Sequence, residues 1–309
     1  MADYVSLRDQ RESFWLDLPS PEEQRRIAHI LGSLDDKIEL NRQLNATLEQ
    51  LARALFQSWF VDFDPVRAKA SGEPADSICR RLGLTPELLA LFPAALEDSA
   101  MGEIPVGWKV KPLPEIVTIN PSRSVGKAAP TPYLDMANVP AHSARVSNVI
   151  TRSFSSGSKF MNGDTLLARI TPCLENGKTA YVDFLAENQV GWGSTEFIVL
   201  RPKLPLPTEF GYLLARHPAF RNFAIANMQG TSGRQRVPNN CFDKYFLAMP
   251  PAEVAVEFGK LVKPLMHQIK QQDEESRTLA ALRDELLPQL LSGELRVSES
   301  TYGAAEASL

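Results

Sequence analysis

Two segments 231 residues apart carry the same helical pattern, so a chain built this way has two long apolar seams to bury. "FWLDLPSPEEQRRIAHILGSLDDKI", from Phe14, aligns without a gap on "YFLAMPPAEVAVEFGKLVKPLMHQI", from Tyr245. In the first segment Ile27, Leu31, Leu34 and Ile38 follow a 4-3-4 spacing, and Leu48 and Leu55 resume the stripe after polar Asn41 and Asn45. Phe258, Val262, Leu265, Ile269, Leu279 and Leu286 repeat it, with Gln272 and Ser276 at the polar places. Heptad spacing marks a seam shaped for another helix. The two segments are the simplest partners for each other, and the polar positions would set their register at some cost in stability. A constant offset over roughly 30 residues favours a duplicated unit over two unrelated amphipathic helices.

Each helix has a start signal. Ser20 is a candidate N-cap in "LPSPEEQ", followed by Pro21 and by Glu22 and Glu23 near the positive end of the helix dipole. "MPPAEV" opens the second helix in the same manner, while Pro264 predicts a kink or a late start. A helix of about 40 residues is about 60 Å long, longer than a compact domain needs.

Residues 61–100 read as a connector with one or two small helices, "TPELLALF" being the best candidate. From residue 101 the texture changes to short β-rich runs, "EIPVGWKVKPL", "GDTLLARI", "KTAYVDF", "GSTEFIVLRP" and "FLAMP", with "PTEFGYLLARHPAFRNFAIANM" as the one helical stretch among them. Residues 101–248 are therefore expected to form a mixed α/β domain with a mainly β core and long polar loops. Residues 1–17 read as a residual strand segment, 18–60 and 249–297 as the two long helices, and 298–309 as a disordered tail.

The formal net charge of −4 hides an asymmetry. Residues 101–250 hold 16 Lys/Arg against 10 Asp/Glu, a net of +6, so the remainder holds 17 against 27, a net of −10. A basic middle between acidic flanks fits one part facing a polyanion and another facing a different partner. The three cysteines and four histidines are scattered, without ligand spacing for a metal or a disulfide framework. No run approaches a membrane span and the start lacks an apolar signal region, so the expected location is the cytoplasm.

Three stretches invite a chemical reading. "ENGKT" (residues 175–179) is similar to a phosphate-binding loop, but Pro172 stands where that loop needs a glycine, and its fixed φ and missing N–H spoil a backbone cradle. "NPSR" (residues 120–123) is weakly similar to the Asn-Pro-Pro-aromatic motif of adenine methyltransferases. Its last two positions differ, and no Gly-rich strand–turn–helix for a methyl donor accompanies it. "GTSGRQRVPNN" (residues 230–240) puts Arg234, Gln235, Arg236, Asn239 and Asn240 on a loop with two glycines. Arg pairs with guanine edges and phosphates, Gln and Asn with adenine edges.

Taken together, the chain resembles the DNA-specificity (S) subunit of type I restriction–modification systems. The likeness is carried by "LPSPEEQRRIAHILGSLDDKIELNRQLNATLEQLARALFQSWFVDFDPVRAK", "DSAMGEIPVGWKV", "LLARITPCLENGKTAYV", "GSTEFIVLRP", "GTSGRQRV" and "LLPQLLSGEL", in that order. The resemblance implies an α+β architecture: one target-recognition domain flanked by two long helices that pack as an antiparallel coiled coil. A complete S subunit has two such domains, each followed by a spacer helix and each reading one half of a bipartite DNA site. This chain departs from that pattern, keeping helix, one domain, helix. The implied form is a half-length subunit that pairs with itself as a homodimer and reads a palindrome.

The resemblance further implies a non-catalytic protein with no cofactor of its own. Its partners would be double-stranded DNA, methyltransferase subunits and, in the full complex, motor–nuclease subunits, which bring S-adenosylmethionine, ATP and Mg chemistry. Expected DNA contacts are Arg169, Lys178, Arg234, Gln235, Arg236 and Asn240, with Arg123, Lys127, Arg145 and Arg152 behind them.

Overall fold

The computed structural model describes residues 18–126, 130–231 and 233–296. Lys127, residues 14–17 with the FWLD counterpart of Tyr245–Ala248, and the expected tail lie outside them. Helix α1 (Pro21–Phe60) is followed by α2 (Asp64–Ala70), α3 (Ala75–Leu82) and α4 (Pro86–Ala90), then by the hairpin β1 (Leu96–Ser99) and β2 (Gly102–Pro105). Strand β3 (Lys109–Pro112) runs into one turn, α5 (Leu113–Ile116). Short strands follow: β4 (Val117–Ile119), β5 (Thr131–Leu134), β6 (Ile150–Arg152), β7 (Ser158–Phe160), β8 (Thr165–Ala168), β9 (Thr179–Tyr181), β10 (Gly191–Gly193) and β11 (Phe197–Pro202). Helices α6 (Glu209–Arg216) and α7 (Pro218–Ala226), a 3-10 turn (Asn239–Lys244), β12 (Phe246–Met249) and α8 (Ala252–Ser292) complete the order.

Local chemistry explains most boundaries. Ser20 caps α1, its hydroxyl accepting from the Glu23 N–H at 3.2 Å and its carbonyl from Gln24 at 2.8 Å. Thr85 caps α4 by accepting from the Leu88 N–H. The connector holds three short helices where one or two were expected. The single helical stretch expected over residues 207–228 is two helices, because His217 precedes Pro218 and takes extended backbone. Pro264 neither delays nor ends α8, which begins 12 residues before it. Strands β1, β4, β5, β6, β7 and β10 were not anticipated; each is only three or four residues long.

The chain divides into two compact units. The smaller holds residues 18–44 and 271–296, a pair of antiparallel helical arms. Arg283 Nη1 pairs with Asp35 at 2.6 Å, and Asn41 Nδ2 donates to Glu275 Oε2 at 2.7 Å, so numbering rises on one arm as it falls on the other. Ile27 and Leu290 are buried, while Leu31, Leu34, Ile38, Leu279 and Leu286 are half-buried. Asn41 is fully buried.

The larger unit, residues 45–270, is a mixed α/β body. One four-stranded sheet has the order β4-β11-β8-β9, all antiparallel; the other, β6-β5-β10-β7, has a parallel β10–β5 pair. The pair β12–β3 sets Phe246 opposite Pro112 and Met249 opposite Lys109. An aromatic hub anchors the helical ends: Phe60 packs edge-on to Phe210 at 5.3 Å and to Phe258 at 4.7 Å, and Trp59 to Phe92 at 4.9 Å. The seam residues Phe258, Val262 and Ile269 are buried in this core, with Leu48, Leu55 and Leu265 packed against it. These seam positions therefore face the body of the unit as well as the other helix. Gly157 sits where the sheet leaves no room: a Cβ there would lie 1.9 Å from the Gly193 carbonyl oxygen.

Candidate nucleic-acid interface

Three loops, one after β8, one between β10 and β11 and one between α7 and the 3-10 turn, are tied together by backbone hydrogen bonds. Arg169, just past β8, donates its N–H to the Glu196 carbonyl at 2.9 Å and accepts from Val237 N–H at 2.9 Å. Thr171 N–H donates to the Gln235 carbonyl at 3.1 Å. Gln229 and Arg236 exchange N–H and C=O at 2.9 and 2.8 Å, closing a small hairpin between them. Gly230, at φ +122°, permits that closure; a Cβ would stand 3.1 Å from the Arg234 carbonyl oxygen. The exposed part of "GTSGRQRVPNN" is thus a short excursion on a pinned base.

The expected contact residues divide by their partners. The Arg123 side chain is buried and makes two hydrogen bonds to fully buried Asp164, one at 2.7 Å to Oδ1, and a third to the Lys159 carbonyl at 3.3 Å. The Arg145 side chain is buried against Asp183. Lys178 donates its ammonium to the Met136 carbonyl at 2.7 Å, and is half-buried. These three cations are bound into the fold as they stand. Arg169 donates Nη2 to the Val237 carbonyl at 2.5 Å, while its Nε is buried without an acceptor among the described residues.

A second group faces solvent. Arg234 and Asn240 are exposed and Gln235 is half-buried. Arg236 is exposed and bonded to Glu196, and those hydrogen bonds push its guanidinium pKa higher still. Arg152 lies 5.1 Å from the Tyr133 ring centre and 5.9 Å from that of Trp192, a cation–π setting that orients its side chain. Lys127 is outside the described residues.

Sequence reasoning missed a polar cleft of about 300 Å³ lined by Asn120, Ser122, Ser158, Lys159, Arg169 and Thr195, among others. Lys159 there donates to the Arg123 carbonyl at 2.9 Å and sits 5.1 Å from the Phe154 ring centre. Asn120, at φ +50°, accepts from the Val199 N–H at 2.9 Å. The sequence signals there were "NPSR", read for its methyltransferase likeness, and Arg169, an expected contact. Glu196 gave no signal, because its role depends on Arg236, 40 residues further on. Among the described residues no cluster of His, Cys, Asp or Glu could hold a metal, and no helix is long and apolar enough to cross a membrane.

Exposed cations can bind phosphates by charge, and Arg, Gln and Asn side chains can pair with base edges. Residues 10–50 match the family model described as the type I restriction modification DNA specificity domain. The chain is 28% identical, over 93% of its length and 70% of the relative's, to the HindI type I restriction enzyme specificity subunit of Haemophilus influenzae. With the MjaIX specificity subunit of Methanocaldococcus jannaschii it is 27% identical over 91% of this chain and 60% of the relative. The fold is similar to that of the crystallised type I restriction-modification S subunit from M. genitalium, with a TM-score of 0.51 and 14% identity over 88% of this chain and 61% of that one.

Proposed function

This chain is a relative of the type I restriction–modification specificity subunits, and from that kinship we propose that it is a non-catalytic DNA-recognition subunit. In this reading residues 45–270 bind one half of a bipartite site in duplex DNA. The two long helices form an antiparallel coiled-coil spacer that docks adenine methyltransferase subunits and, in a full complex, motor–nuclease subunits. S-adenosylmethionine, ATP and Mg reside on those partners, and the assembly works in the cytoplasm. The observation that carries the reading is the pinned loop base at Gln229 and Arg236, which presents Arg234, Gln235 and Arg236 beside Arg169 and the polar cleft. Phosphate contacts from such cations dominate affinity and make it salt-sensitive.

The proposal extends to a homodimer that reads a palindrome, since protein symmetry is mirrored in site symmetry. The seam within the helical arms is already occupied inside one chain, so a second copy would use their outer leucines, Leu40, Leu44, Leu282 and Leu291, all exposed. That same closed seam favours a second reading, a fragment or interaction protein that occupies the methyltransferase without reading DNA. A methylome separates them: the chain is expressed with its methyltransferase in a methylation-free host and modified adenines are mapped. A palindromic bipartite motif supports the homodimer, and an asymmetric one means another chain supplies the second half. No motif with a competent methyltransferase leaves the interaction protein.

A further inference from the structure

Resting on the reading that residues 45–270 recognise duplex DNA, we propose that Arg236, oriented by Glu196, is a guanine-binding site that grips O6 and N7 of one base in the major groove. Arg236 Nε lies 2.9 Å from both Glu196 carboxylate oxygens, and Nη2 lies 2.7 Å from Oε1. The carboxylate therefore takes the side edge of the guanidinium. A guanidinium has five N–H donors in one rigid plane. The remaining contact, Nη1 to the Arg234 carbonyl, is long at 3.5 Å. This leaves the outer edge, one N–H from each terminal nitrogen, whose spacing matches the O6 and N7 acceptors of guanine.

An exposed ion pair is ordinarily a loose one. Here both ends are pinned at the backbone: Arg236 by its reciprocal bonds to Gln229, and Glu196 by its carbonyl to Arg169 and its N–H to Ser194 Oγ at 3.1 Å. The Glu196 side chain is 22% exposed against 47% for Arg236, so the acid sits behind the base. A carboxylate close to a polyanion costs affinity. What it returns is a fixed plane for Arg236, as an outer carboxylate does for a metal-bound histidine. Lysine cannot replace this arrangement, because a single ammonium lacks the two-pronged fork.

The test maps methylation directed by the full chain with its methyltransferase, for the wild type, Glu196→Gln, Arg236→Lys and, as a comparison, Arg234→Ala. The wild-type motif should contain a guanine at which both Glu196→Gln and Arg236→Lys lose discrimination about tenfold to a hundredfold, with other positions unchanged. Arg234→Ala should leave that position intact. In binding to the purified complex, 7-deazaguanine there should weaken the wild type about tenfold or more and leave Arg236→Lys unaffected, which a phosphate contact or a purely structural pair would not produce. A guanine-free motif, a motif both variants keep in full, or indifference to 7-deazaguanine overturns the assignment while the DNA-reading role stands. Uniform loss of methylation in Glu196→Gln makes the pair structural and also overturns it. If Arg236→Lys does not fold, Glu196→Gln decides, since it keeps the arginine. Absence of any wild-type motif removes the DNA-reading role and this site with it.

Discussion

The Asn41 side-chain amide lies 3.5 Å from the carbonyl oxygen of Gln272, the residue that holds the same place in the repeat 231 positions later. It also lies 3.3 Å from the hydroxyl of Ser276, the counterpart of Asn45. In two antiparallel copies related by a twofold axis, a residue approaches its own counterpart only where the axis passes. The helical arms thus carry an approximate dyad at their polar positions. The Asn41 and Gln272 side-chain oxygens are buried without a donor among the described residues, which fits groups retained for register rather than stability. Asn41→Leu should keep or raise the melting temperature in calorimetry, while light scattering shows mixed species where the wild type gives one. A melting temperature several degrees lower would instead make Asn41 a net stabiliser.

Cations that look alike in sequence should behave differently on removal. Arg123→Ala leaves Asp164 with less of its compensation in a fully buried place, and should cost about 3–5 kcal/mol in denaturant unfolding. Arg234→Ala touches an exposed side chain, so its unfolding midpoint should match the wild type. Its DNA affinity should fall, and the slope of log affinity against log salt should flatten by about 1. An unchanged slope removes Arg234 from the interface.

Glu49 on α1 is 4% exposed and accepts from Tyr212 Oη at 2.6 Å, from Ala144 N–H at 3.1 Å and from Arg53. Burial, and after it the Glu49 charge, holds the Tyr212 phenol well above its ordinary pKa. Glu49→Ala takes the carboxylate from the buried Arg216 guanidinium, 3.8 Å away, and should destabilise the fold by about 3–5 kcal/mol. Glu49→Gln, which keeps the shape, should cost less, and chemical denaturation of both variants checks the order.

His217 gives a pH dependence with a definite sign. Burial lowers its pKa below the ordinary 6.5, with Asp62 opposing, and Nε2 sits 2.7 Å from Gln57 Oε1. The folded state then favours the neutral ring. This stability is present above the unfolded pKa and is lost as pH falls through the lower folded value. Between pH 7.5 and 5 the wild type should lose more melting temperature than His217→Gln, and equal losses in the two would remove His217 as a contributor.

What could be read in the sequence was whatever repeats locally. The heptad stripe from Ile27 to Leu55 and the cap at Ser20 depend on neighbours within a few residues, and the helix Pro21–Phe60 follows from them. The fate of the arginines does not. Arg123 meets Asp164 across 41 residues, Arg145 meets Asp183 across 38 and Arg236 meets Glu196 across 40. Nothing short-range tells a buried pair from a solvent-facing one. The three-residue strands Ser158–Phe160 and Gly191–Gly193 are likewise too brief to show a period, and each exists because its partner strand is there.

The bond between Asp35 and Arg283 spans 248 positions of chain. At a synthesis rate of about 5–20 residues per second, the first arm is synthesised as far as Asp35 about 12–50 s before the residue that will face it exists. Throughout that interval its leucine stripe has no partner from its own chain. A nascent copy is then open to a chaperone, or to the finished arm of a neighbouring copy, and the order of translation becomes a determinant of which pairing forms.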